Sequence, residues 1–144
     1  VNTRLRRADR LLELAERGVD GAQGRLSEAR RVVHETRARK ARAEAAWSAA
    51  ADGFTCRLST AGDIERHADH LRTLRLRIEA CATELVKAED AARRCVGDLL
   101  RANTERRKLE LWRGRLGASE AEGQVRAERR VADEQAARTV GRRT

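Results

Sequence analysis

Large apolar residues recur every seven positions from Leu5: Leu12, Val19, Leu26 and Val33, with Lys40, Trp47 and Phe54 continuing the row. Three positions further on, a second row runs Ala8, Ala15, Ala22, Ala29, Thr36, Ala43 and Ala50. Two rows offset by three within a seven-residue repeat form one stripe on an α-helix, the seam of a coiled coil. One row is bulky and the other is alanine. Alanine lets two backbones approach closely, so the pattern predicts tight two-stranded pairing.

The repeat stops near Asp52-Gly53. Thr55, Ser59, Thr60 and Gly62 mark a connection, and Asp63 is placed to cap a second helix. A second seam then runs Ile64, Leu71, Ile78, Leu85, Ala92 and Leu99. Its partner row is His67, Leu74, Cys81, Ala88, Cys95, Ala102, Leu109 and Leu116. The expected fold is all-α: a long two-helix antiparallel coiled-coil hairpin with a C-terminal helical overhang. Residues 1–144 are read as a single hairpin, with helix one over about 3–52, a connection over about 53–62 and helix two over about 63–140.

A turn near Arg57 to Ser59 pairs residues whose numbers sum to roughly 116–118. Trp47 then lies near Leu71, and Trp112 near Leu5. At 1.5 Å per residue the helices are about 70 and about 110 Å long. Helix two therefore overshoots its partner by some 25–30 residues. Beyond Leu116 the repeat loses phase. Gly114, Gly117 and Gly123 each weaken the helix by about 1 kcal/mol relative to alanine. Two readings of this end stand side by side: a frayed solvated helix, or a segment made firm by a partner.

Composition agrees with long helices. Proline and tyrosine are absent, aromatic residues make up 2% and charged residues 38% of the 144 positions, too polar for a thick core. The net charge is +9, and Lys40, Lys87 and Lys108 are the only lysines beside many arginines. Basic and acidic residues alternate, as on solvated helix faces with local ion pairs. Stacking aromatics are few, so specific nucleic-acid binding is not expected.

Cys56, Cys81 and Cys95 have no metal-ligand or CxxC spacing. Such a scattered odd set suits a reducing compartment. No apolar run approaches about 18 residues, and no signal-peptide pattern is read, so a cytoplasmic protein without membrane insertion is expected. Asp63, His67 and His70, with Glu65 and Asp69 nearby, could in principle meet a metal. However, His67 falls on the seam and Asp63 serves as a cap, so no metal is expected. No cofactor loop or catalytic constellation is read, and the chain is expected not to be an enzyme. A helical hairpin of this kind works by contacting other proteins.

Four patches carry a more specific likeness. They are Leu14-Ala15-Glu16-Arg17-Gly18-Val19-Asp20-Gly21-Ala22 with Leu26 and Glu28-Ala29-Arg30-Arg31; Leu71-Arg72-Thr73-Leu74 with Ile78-Glu79; Glu105 to Trp112; and Arg126 to Ala137 with Ala132-Asp133-Glu134-Gln135-Ala136. In this order they resemble the type III export stalk family, the flagellar FliJ and injectisome YscO/SctO proteins. The resemblance implies a non-enzymatic central stalk at the cytoplasmic face of a secretion apparatus. Its partners would be a hexameric export ATPase and the cytoplasmic ring of the export gate, with secretion chaperones as further candidates.

The family's gate-binding surface corresponds here to Arg39, Ala43, Ala46 and Ala50, then His70, Leu74, Arg77 and Cys81, with Trp47 adjacent. Its departure from the flagellar pattern, and the abundance of arginine, favour an injectisome. The overhang suggests the ATPase contact: Val125, Arg126, Arg129, Arg130, Val131 and Arg138, together with Arg4, Leu5, Arg6 and Leu12 at the start of helix one. A secretion chaperone or escort and a generic coiled-coil scaffold remain the alternative functions.

Overall fold

A computed structural model describes residues 3–53 and 60–143. It contains two α-helices, α1 (Thr3–Asp52) and α2 (Ala61–Gly141), and no strand among the described residues. The helices pack against each other as an antiparallel coiled-coil hairpin. The chain divides into two compact units, Val1–Asp20 with Leu100–Thr144, and Gly21–Leu99. Phe54, Cys56 and the expected turn near Arg57 to Ser59 lie outside the described residues.

In the unit spanning Gly21–Leu99 the core is the seam. Ala22, Leu26, Val33, Thr36 and Ala43 are buried on α1, and Leu74 and Ala88 on α2. Burying a leucine such as Leu26 or Leu74 contributes roughly 1.5–3 kcal/mol. Alanine contributes less by its own area, but it lets the helices come close enough to cover the larger residues.

Two polar residues interrupt the apolar rows and are accommodated differently. Thr36, 1% exposed, donates its hydroxyl hydrogen to the Val32 carbonyl at 2.8 Å. The buried hydroxyl thus keeps a partner, avoiding the cost of an unmade bond. Lys40 stays half-buried while its Nζ reaches Glu44 at 3.6 Å, its stem lying along the seam and its charge outside.

In the other unit, Ala8 and Val19 are buried, and Leu5, Leu12, Ala15, Leu109 and Leu116 are half-buried. From Ala121 to Arg143 every residue is exposed although the helix continues to Gly141. Gly114, Gly117 and Gly123 lie within that helix without breaking it. Around this end, helix-forming residues from Arg126 to Arg138 outweigh isolated glycine penalties.

The register differs from the one expected from a symmetric turn. Arg39, expected opposite residues 77–79, reaches Glu84 at 3.4 Å. Arg37 pairs with Glu89 at 3.0 Å, and Asp9 with Arg113 at 2.7 Å. Each partner lies further along α2 than expected, by about one helical turn or more. Register in a coiled coil follows the interlocking of side-chain layers, and the midpoint of a connection does not constrain it.

The cap also differs. Thr60, rather than Asp63, caps α2: the Asp63 backbone N–H donates to the Thr60 hydroxyl at 3.2 Å and to its carbonyl at 3.1 Å. Asp63 sits in the first turn, where a carboxylate favours the positive end of the helix dipole, and accepts from Arg66 at 2.9 Å.

Candidate interaction surfaces

In the unit that contains the start of α1, arginine dominates the first turns. Arg4, Arg6, Arg7 and Arg10 are all exposed. The neighbouring acid, Asp9, accepts from Arg113 at 2.7 Å and holds that guanidinium further above its ordinary pKa. Its charge is therefore matched across the helix pair, and the α1 arginines leave a net positive surface. Leu5 and Leu12, expected at a partner contact, are half-buried seam residues. They support the surface from beneath.

On the far part of α2, Val125 and Val131 are 46% and 54% exposed. Arg126, Arg129, Arg130 and Arg138 are exposed and make no ion pair among the described residues. Val125, Arg126 and Arg129 line one shallow groove with Ala121 and Glu122. Val131 is not on that face, because six residues along an α-helix turn through roughly 240°. The structure therefore distributes the expected contact residues around the helix.

In the unit spanning Gly21–Leu99, five of the residues expected at the gate surface come together. Arg39, Ala43, Ala46, Arg77 and Cys81 line a groove with Arg42. Trp47 is 37% exposed, His70 is exposed and Ala50 half-buried. Leu74 does not belong to this surface. At 4% exposure it is a seam residue, and Ala43 at 5% forms only the floor of the groove. A partner can meet the arginines, Trp47 and His70, but it cannot reach Leu74 without opening the helix pair.

A further groove was not expected from the sequence. Trp112, 37% exposed, lies beside Leu116 on α2 and Arg4, Arg7 and Leu11 on α1. The only hint was the placement of Trp112 near the start of helix one. Leu11 directly precedes a seam leucine and so flanks the core, but its neighbours depend on the register.

Among the described residues no three His, Cys, Asp or Glu side chains are arranged to hold a metal. Asp69, near the two histidines, accepts from Arg72 at 3.0 Å. Cys81 and Cys95 are free thiols, half-buried at the seam. No described helix is long and apolar enough to cross a membrane.

A family match gives these surfaces a setting. The family model described as Flagellar FliJ protein matches residues 5–144. The chain belongs to the FliJ family. No curated protein and no solved structure matches it. Members of the FliJ family are non-enzymatic components of protein export with a helical stalk form. The match spans α1 and α2, including the exposed end of α2, so that end belongs to the family's own architecture. The family covers flagellar and type III secretion stalks alike, so the match does not separate the two branches.

Proposed function

We propose that this FliJ-family chain is the central stalk of a type III export apparatus, linking a hexameric export ATPase to the cytoplasmic ring of the export gate. The observation that carries this reading is the exposed helix from Ala121 to Gly141. It continues α2 without burying any side chain. Isolated helices gain little from their own hydrogen bonds, so binding is the available source of further stabilisation. Its valines point in different directions: Val131 and Val140 stand roughly 240° and 60° around the helix from Val125. A partner on one side covers only part of that set, whereas a ring around the helix meets all of it.

Charge supports the same polarity. Arg126, Arg129, Arg130 and Arg138 suit acidic loops lining such a ring, and the first turns of α1 in the same unit add Arg4 and Arg6. The groove of Arg39, Arg42, Ala43, Ala46, Arg77 and Cys81, with Trp47, His70 and Ala50, is the surface offered to the gate. Secretion chaperones are further candidate partners. The working place of such a stalk is cytoplasmic, against the secretion apparatus.

Removing residues 118–144 tests the polarity. The truncated chain should keep its helical circular dichroism and cooperative melt, lose stimulation of ATPase hexamer assembly and still bind the gate ring. Trp47→Ala combined with Arg77→Glu should do the reverse. Full ATPase stimulation by the truncated chain contradicts the assignment of the exposed helix.

A further inference from the structure

The groove around Trp112 shares Arg4 with the charge assigned to the ATPase contact, but its apolar floor belongs to neither assigned surface. Its apolar part is Leu11, Trp112 and Leu116, contributed by both helices of one unit. Leu11 is 36% and Trp112 37% exposed, so each is anchored on one side and open on the other. Half-buried aromatic side chains of this kind supply large contact area with little further loss of freedom on binding.

The rim is basic. Arg4 and Arg7 line the groove itself, and Arg7 also borders an adjoining depression with Arg6 and Arg10. Arg6, Arg7 and Arg10 form no ion pair among the described residues. The one acid in this depression, Asp9, is engaged by Arg113. Arg6, Arg7 and Arg10 therefore leave positive charge at this rim that no ion pair among the described residues matches.

We infer that the Leu11–Trp112–Leu116 groove is a docking site for an acidic amphipathic helix of a partner protein. A groove between two antiparallel helices has the shape to seat a third helix. Leucines spaced three and four residues apart on the incoming helix would cover Leu11, Trp112 and Leu116. Glutamates flanking that stripe would face the α1 arginines, speeding encounter and fixing orientation. The floor is largely aliphatic and Trp112 is half covered. That favours a leucine-bearing helix over stacked bases, which need an open ring face.

The rim arginines Arg4 and Arg6 are shared with the proposed ATPase contact, but the test of this inference needs neither the ATPase nor the gate. The probe is a fluorescein-labelled helical peptide of about 20 residues with leucine at alternating three- and four-residue spacing and glutamate elsewhere. Anisotropy is followed as full-length chain is added at low and at physiological salt. The acidic peptide should bind at least about tenfold tighter than the same peptide with lysine for glutamate, and more weakly at higher salt. Trp112→Ala should weaken binding by about tenfold or more, as for a central aromatic anchor. Arg7→Glu should weaken it by about fivefold or more. Arg7 is on the surface, so its variant stays readable even if Trp112→Ala lowers the melting temperature. Equal binding of the acidic and basic peptides, or undiminished binding by Arg7→Glu, overturns the inference. So does tighter binding of an oligothymidylate than of the acidic peptide, which would make the groove a nucleic-acid surface.

Discussion

The seam of the unit spanning Gly21–Leu99 and the helix from Ala121 to Gly141 have the same secondary structure, yet opposite surroundings. Along the seam, Leu26, Val33, Thr36 and Leu74 are withdrawn from water. Past Ala121 every described side chain is exposed. The difference shows that helix propensity and tertiary stabilisation are separable. Arg126 to Arg138 are good helix formers without a partner, whereas Thr36 and Lys40 are poor seam residues tolerated because their neighbours hold them. A helix kept regular but uncovered suits a component whose remaining binding surface is supplied by other proteins.

The largest contrast should come from truncating apolar side chains in the two regions. Leu74→Ala removes a side chain that is 4% exposed and should cost about 2–4 kcal/mol, read as a lowered denaturation midpoint. Val131→Ala, at a position 54% exposed, should change stability by less than about 0.5 kcal/mol. A large loss at Val131 would mean that this helix end is covered in the free chain, and the contrast would fail.

A smaller effect separates the regions by their charges. Arg31 bridges Glu28 and Glu35 on one face of α1, and its hydrogen bond and charge hold the Glu28 carboxyl below its ordinary pKa. A depressed carboxylate contributes stability that is present above the ordinary carboxylate range and lost as pH falls through the lowered value. These groups lie at the surface, so the contribution is small and screened by salt. Side-chain NMR titration should place Glu28 below the ordinary glutamate range, and Arg31→Ala should bring it back toward that range. An unchanged Glu28 titration in Arg31→Ala would remove this charge effect.

The helix pair was legible because coiled-coil packing leaves its period in side-chain size. The row of Leu12, Val19, Leu26 and Val33 and the row of Ala8, Ala22 and Ala43 identify the buried stripe before any coordinate is known. The register was not legible. It depends on how layers of two distant segments interlock, and a turn's midpoint carries no such information. The Trp112 groove was hidden for the same reason, since its two walls are about a hundred residues apart in sequence. Leu74 teaches a different lesson. Its own spacing with Cys81 and Ala88 placed it in the seam, while family likeness placed it on a gate surface. Burial agrees with the spacing. The cap was obscured by an ambiguity of chemistry, since Thr60 and Asp63 are both competent caps and only the hydrogen bonds distinguish them.

The central claim is that Ala121 to Gly141 is an uncovered helix completed by the export ATPase. Amide hydrogen exchange of the full chain, alone and with the ATPase, tests it most directly. In the free chain, amides from Ala121 to Arg143 should exchange much faster than those near Val33 and Thr36. Adding the ATPase should slow the first group by about tenfold or more and leave the second unchanged. Slow exchange from Ala121 to Arg143 in the free chain, or no slowing there when the ATPase is bound, would contradict the account.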